Sequence, residues 1–206
     1  MVMTLELQAV VLSGTPLSGK TKTAEALIRG TNLAHLDVDA IRQLHYPNPG
    51  RALLPEHRER LVMAACYMRL AEEALRIVDV KTPVLLTGTF SRSEFKAPLE
   101  LFARVLGEME IPLRVFLLTV SDEEAMRRIE ARRREGSASN IDTLEKFQWA
   151  QKFFQPIEFA PVVTIDTSVD DAYYNRIDTA NSDTRLTGAA AIDVSANSGN
   201  STATFA

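Results

Sequence analysis

Residues 14–21 read Gly-Thr-Pro-Leu-Ser-Gly-Lys-Thr, a full match to Gly-x-x-x-x-Gly-Lys-Ser/Thr. Each fixed position has a chemical reason. Gly14 and Gly19 allow backbone torsions closed to other residues and let the chain approach a ligand. Successive N–H groups then converge on an anion, and the helix that follows adds its positive end. Lys20 would reach the β- and γ-phosphates of a nucleotide, and the Thr21 hydroxyl would join a Mg²⁺ shell. Gly14, Thr15, Ser18, Gly19, Lys20, Thr21 and Lys22 are therefore the candidate cofactor-binding residues, with Thr21 as the metal ligand. An ordinary strand-to-helix turn is the bland alternative. The apolar run before the loop and the helical pattern after it favour the phosphate loop.

Two further groups could act beside it. Asp37 and Asp39, in "LDVDAIR", stand at the carboxyl end of a second apolar run. That end of a parallel strand lines the ligand crevice. An aspartate there can accept the proton of an attacking hydroxyl or hold Mg²⁺ through water. Arg42 could steer a substrate, and Asp39 would also serve as a helix cap. Five of the eight residues from Arg127 to Arg134 are arginine. Phosphoryl transfer gathers negative charge on the γ-phosphoryl oxygens, which arginines can neutralise, and Arg128 and Arg132 share a helix face. A solvated charged face is the competing reading. The loop after "VVTID" would border the base. Neither Asn-Lys-x-Asp nor a strand followed by Asp-x-x-Gly is present, which disfavours a GTPase.

Positioning these groups requires alternating strands and helices. Strands are expected at 7–13, 33–38, within "TPVLLTGTF", within "PLRVFLLTV" and within "PVVTIDTS". Helices are expected at about 20–30, 55–79, 93–106, from Ser121 through the arginines, and 142–154. Pro55 would open the long helix, whose apolar positions are Leu61, Ala64, Ala65, Met68, Ala71, Leu75 and Val78. Ser91 with Glu94, and Ser121 with Glu124, have capping-box spacing. The strands read as continuous apolar runs, which predicts an α/β fold with a parallel sheet covered on both faces.

The chain has 206 residues with a net charge of −4, so no global positive field recruits nucleic acid or membrane. Its lone cysteine, Cys66, can form neither an internal disulfide nor a cysteine-based zinc site, and reads as a small buried hydrophobe. His35, His45 and His57 lack metal-ligand spacing and read as solvated or capping. No apolar run reaches 18 residues, so no membrane contact is expected, and the N-terminus reads as a first strand; a cytoplasmic location is expected. Residues 178–206 differ in kind: 21 of the 29 are Ala, Ser, Thr, Asn or Gly. They read as a low-complexity, flexible tail after a domain at 1–177.

The motif series "GTPLSGKT", "DVDAIR", "PVLLTGTFSR", "RVFLLTVSDEEAMRRIEARRR", "FFQPIE" and "VVTIDTS" resembles the P-loop kinase-like ATP-binding proteins. These AAA-family relatives include polynucleotide 5′-kinases, zeta-toxin-type kinases, chloramphenicol phosphotransferase and gluconate kinase. The resemblance spans about residues 7–177. It implies a three-layer α/β/α P-loop NTPase fold with a five-stranded parallel sheet. It also implies ATP and Mg²⁺ as cofactors, and transfer of the γ-phosphoryl group to a hydroxyl. By the same resemblance Lys20, Asp39, Arg128 and Arg132 would be catalytic, with Asp39 activating the acceptor and the two arginines closing a lid. Asp37, Arg42 and Arg92 would bind the acceptor. One departure matters: relatives carry an aspartate in the third strand where this chain has Thr87. A hydroxyl is a weaker Mg²⁺ partner than a carboxylate.

The expected function is a kinase acting on a small hydroxyl-bearing acceptor, working as a monomer. A nucleic-acid 5′ end is the less favoured acceptor. A nucleotide-binding module without efficient transfer is the alternative. The acceptor pocket is expected among residues 39–60 and 88–96.

Overall fold

A computed structural model describes residues 5–47, 56–136 and 141–169. The proposed tail at 178–206, the "SASN" segment and Pro55 lie outside the described residues. Eleven elements run in the order β1 (Ala9–Gly14), α1 (Lys20–Ile28), β2 (Ala34–Asp37), α2 (Val38–His45), α3 (Glu56–Asp79), β3 (Val84–Thr87), α4 (Ser93–Glu108), β4 (Leu113–Thr119), α5 (Asp122–Arg134), α6 (Leu144–Lys152) and β5 (Val162–Asp166). The five strands form one all-parallel sheet in the order β2-β3-β1-β4-β5. The expected α/β fold class is what the chain adopts.

β1 lies at the centre, and all six of its residues are buried. Ala9, Val11, Val84, Leu86 and Val115 form one sheet face, which packs against α3 and α4 through Tyr67, Leu70, Leu99 and Phe102. Right-handed crossovers require the β1-to-β2 connection, which runs opposite to the others, to place α1 across the other face. The central strands are continuous apolar runs, as expected. The edge strands are not: β2 reads Ala-His-Leu-Asp and is half-buried throughout, and β5 buries Ile165 but exposes Val163. An edge strand has one flank open, so the both-faces pattern holds only for the inner three.

The seam of α3 also differs from expectation. Cys66, Tyr67, Leu70, Ala74 and Val78 face the sheet, whereas Leu61 and Met68 are 70% and 53% exposed. The helix is apolar over a wide arc, and its angular setting is decided by Tyr67. The Tyr67 hydroxyl accepts from the backbone N–H groups of Thr89 and Phe90 at 3.0 and 3.2 Å and lies 3.1 Å from Thr89 Oγ1. This bond set fixes the turn after β3. Phe90 sits there with φ of +46°, unusual for a bulky residue, and Gly88 has no room for a side chain because an added Cβ would lie 2.9 Å from the Tyr67 ring.

Of the two capping boxes, Ser121 accepts from Glu124 N–H at 3.2 Å, but the Glu124 carboxylate turns to Arg127 and Arg128. The cap of α4 is Arg92 rather than Ser91, and Glu94 pairs with Arg60. Cys66 is buried as expected, and burial pushes its thiol up to about 11.

Tyr67→Phe leaves two buried backbone donors without an acceptor and should destabilise the domain by about 2 kcal/mol. Urea unfolding should show a lower midpoint with an unchanged slope; an unaltered midpoint would mean that the turn does not depend on this hydroxyl.

Candidate functional site

The site is built at the carboxyl ends of the strands, beginning at the loop that leaves β1. Gly14 has φ of +150°, and a Cβ there would stand 2.3 Å from the Leu118 carbonyl oxygen of β4. No other residue can pass that point. Gly19 caps α1 with φ of +85°, and the first turn of α1 holds no acidic residue, so its positive end stays uncompensated. Between the glycines, Leu17 is buried with φ of +66°. Lys20 curls back, and its Nζ donates to the Gly14 and Thr15 carbonyls at 2.9 and 2.7 Å. Two hydroxyls of the loop, Thr15 Oγ1 and Ser18 Oγ, are buried without a hydrogen-bond partner in the protein. Buried hydroxyls are rarely left so. Thr21, one residue into α1, is exposed, as is Lys22.

Two aspartates bear on this lysine. Burial pulls Lys20 down to about 8; the charges of Asp39 and then Asp37 oppose that shift, while Arg132 adds to it. Burial and then the Asp37 charge push Asp39 above the usual carboxylate range, against Lys20 and Arg42. The charges of Asp39, Asp37 and Arg132 thus all bear on Lys20. A carboxyl whose proton affinity is raised beside a lysine is a frequent feature of acid–base sites.

Asp37, not Asp39, caps α2. Its Oδ1 accepts from the Asp39 and Ala40 N–H groups at 2.9 and 3.1 Å. Its Oδ2 accepts from Thr87, its register partner on β3. With the Thr87 hydrogen given to Asp37, the hydroxyl accepts from His35 Nε2 at 3.0 Å, which sets the Nε2–H tautomer. Burial holds His35 below its ordinary value, and the Asp37 charge opposes this. His35, read from sequence as solvated or capping, is therefore the end of a bonded chain. Thr87, where the resemblance led to the expectation of an aspartate, is thus hydrogen-bonded to a carboxylate one strand away.

Arg128 is bound in place. It donates to Glu124 at 2.7 Å, to the Leu17 carbonyl at 2.7 Å, and to the Thr167 carbonyl and hydroxyl at 2.7 and 3.1 Å. Thr167 follows β5, and its Oγ1 also lies 3.2 Å from the Ser18 carbonyl. The loop after β5 thus touches the phosphate loop, as its sequence position suggested. Arg42 pairs with Glu59 of α3 at 2.8 Å, and its Nε is buried without a partner.

Arg92 opens a cleft on the other side of the loop. Its guanidinium carbon lies 4.8 Å from the centre of the Phe153 ring, and it reaches Glu56 at 3.8 Å. Pro16, Thr89, Ser91, Trp149 and Phe153 line the same cleft. The segment at 89–92 lies within the expected pocket stretch 88–96, whereas no described residue of the other expected stretch, 39–60, lines the cleft, and 48–55 lie outside the described residues. The aromatic wall from α6 was not foreseen, although an exposed Trp-x-x-x-Phe at helical spacing was a readable signal. Among the described residues, no group of three or more His, Cys, Asp or Glu could hold a metal alone. No helix of the described residues is long and apolar enough to cross a membrane.

Known structures share this architecture. A candidate kinase from Chloroflexus aurantiacus is similar with a TM-score of 0.66 and 21% identity, over 90% of this chain and 99% of that one. A gluconokinase from Sinorhizobium meliloti is similar with a TM-score of 0.56 and 19% identity, over 88% of this chain and 94% of that one. The APS kinase of Mycobacterium tuberculosis, solved with AMPPNP and APS, has a TM-score of 0.52 and 21% identity, over 84% of this chain and 97% of that one. At such identities the likeness carries the fold. No curated protein sequence matches the chain. The profile of AAA_33, an AAA domain family, matches residues 10–157, so the phosphate loop, both aspartates, the arginine helix and the aromatic helix all lie within it, and the chain belongs to that family.

Proposed function

We propose that the chain is a small ATP-dependent kinase that moves the γ-phosphoryl group of ATP to a hydroxyl of a small-molecule acceptor. The observation that carries this reading is the pairing of a complete phosphate loop with a half-buried lysine and two aspartates whose charges bear on it at the loop's mouth. The orphaned Thr15 and Ser18 hydroxyls fit nucleotide phosphates. Lys20 would exchange its carbonyl partners for β- and γ-phosphate oxygens. The acceptor oxygen attacks the γ-phosphorus; the bond to the β–γ bridging oxygen breaks; ADP leaves. Asp39, its proton affinity raised, takes the acceptor proton. Arg132, whose charge bears on Lys20, neutralises the transferring group. Arg128 is better suited to hold the loop and the Thr167 segment in position.

The donor set also fits Mg²⁺, which takes oxygen ligands and keeps several waters. Thr21 would ligate it, with Asp37 or Asp39 acting through water; the ion would offset charge on the β- and γ-phosphates. Thr87 motivates a second reading, a nucleotide-binding module without efficient transfer. Its bond to Asp37 keeps a carboxylate at that strand end and favours the kinase. Cytoplasmic location and a monomeric state accord with this proposal.

Asp39→Ala should lower kcat by about two to four orders of magnitude while the ADP dissociation constant moves less than about threefold. Coupled ADP-release kinetics and calorimetry read the two separately. Unchanged turnover would remove Asp39 as the base and favour the binding module. Phosphates should restore the Lys20 proton. ADP binding should therefore take up about one proton near pH 9 and almost none near pH 7. Affinity should weaken as pH rises past about 8. Calorimetry in two buffers of different ionisation enthalpy measures this uptake. Lys20→Arg, charged throughout, should abolish it; equal uptake in that variant would assign the proton elsewhere.

A further inference from the structure

We infer that the acceptor is an alcohol carried on a planar aromatic or heteroaromatic ring, held in the cleft between the phosphate loop and α6. This rests on the kinase reading above. The cleft is small, about 90 Å³, and open on one side, so it suits one compact ring better than a larger ligand. Pro16 belongs to the phosphate loop itself, so a ligand in this cleft lies beside the nucleotide phosphates.

The wall facing Pro16 is aromatic. Trp149 and Phe153 are one helical turn apart on α6, with ring centres 4.7 Å apart and planes at 60°. They make a corner, not a stack, so each keeps a face free of the other. Trp149 is 51% exposed and Phe153 40%. Two large rings left half in water at the mouth of a phosphate loop offer stacking surface, Phe153 in part covered by Arg92 and Trp149 less so. The polar lining is sparse: the Thr89 and Ser91 hydroxyls and the Arg92 guanidinium. Among the described residues, no carboxylate and no carboxamide lines the cleft. A polyol or sugar acid would bury several hydroxyls against this wall with few partners, which is costly per group. A flat ring loses little and gains stacking. Arg92, already 4.8 Å over Phe153, can donate to a ring heteroatom or substituent oxygen.

The cleft is also held in shape. The Tyr67 bonds fix the Thr89–Phe90 turn, and Thr89 Oγ1 lies 3.4 Å from Ser91 Oγ. Gln155 N–H donates to the Ser91 carbonyl at 2.9 Å, and Lys96 Nζ to the Pro156 carbonyl at 2.7 Å. Both bonds tie the exit of α6 to the opposite wall. A preformed aromatic corner favours a rigid ligand.

Trp149 is the sole tryptophan in the chain, so its fluorescence reports this cleft alone. The full chain, saturated with Mg²⁺ and ADP, is titrated with ring alcohols from 3-pyridinemethanol and benzyl alcohol to uridine and adenosine. Glycerol and D-gluconate are titrated alongside. At least one ring alcohol should change Trp149 emission saturably, and Phe153→Ala should weaken its binding about tenfold. The polyols should leave emission unchanged. Saturable change with glycerol or gluconate, or no change with any ring alcohol, overturns the inference. ADP release from ATP is followed with the same compounds. Release driven by a polyol with Trp149 silent leaves the kinase reading standing and removes the ring. Binding of a ring alcohol at Trp149 with no release by any compound keeps the ring site and removes the kinase.

Discussion

The absence of a side chain at Gly14 is the constraint on which the site depends. The β4 backbone runs so close that a Cβ would meet the Leu118 carbonyl oxygen at 2.3 Å. That proximity lets the chain turn immediately off the central strand, bring its amides around one point, and enter α1 at Gly19. The turn is held from outside as well as within. Arg128 grips the Leu17 carbonyl from α5, and Thr167 reaches Ser18 from the end of β5. Three segments distant in sequence therefore converge on one loop, and each meets its backbone. This explains how a loop with a buried left-handed leucine keeps its shape.

Charge is the second organising factor. Lys20 is half-buried and satisfied by two carbonyls, neutral partners that an anion can replace. The charges of Asp37, at the end of β2, and Asp39, in the first turn of α2, bear on it from beyond β3. Because β2 and β3 pair in register, Asp37 and Thr87 face each other, and a bond joins them. The electrostatic centre of the molecule is thus set by sheet register as much as by the loop motif.

Much of this was readable in the residues. "GTPLSGKT" with an apolar strand before it announced β1, the loop and α1 within two residues of their bounds. "VLLT" and "RVFLLT" announced inner strands because continuous apolar runs have few other homes in a parallel sheet. The failures have physical causes. Leu61 and Met68 were placed with the core because α3 is apolar over a wide arc, and periodicity cannot say which part a tyrosine hydroxyl will anchor. Asp39 looked like a cap, yet Asp37 does that work because its carboxylate reaches two N–H groups beyond it. His35 gave no sign in sequence, since its partner is 52 residues away across a strand pairing. The Arg128 bonds to Leu17 and Thr167 are equally long-range. Composition and spacing describe which groups a chain owns; only the pairing of strands decides which of them meet.

The double duty of Asp37 has a consequence for how this sequence can drift. One carboxylate starts α2 through Oδ1 and faces the site through Oδ2. A substitution that keeps the cap, such as asparagine or serine, removes the charge; one that keeps the charge, such as glutamate, moves it a bond length away from the cap. On the proposed function, folding and chemistry would veto different replacements at the same residue, leaving few. With a carboxylate on the third strand the two demands would fall on separate positions that could vary independently. Here they are fused, and the short path from Ala34 to Asp37 carries an evolutionary rigidity that its modest burial would not suggest.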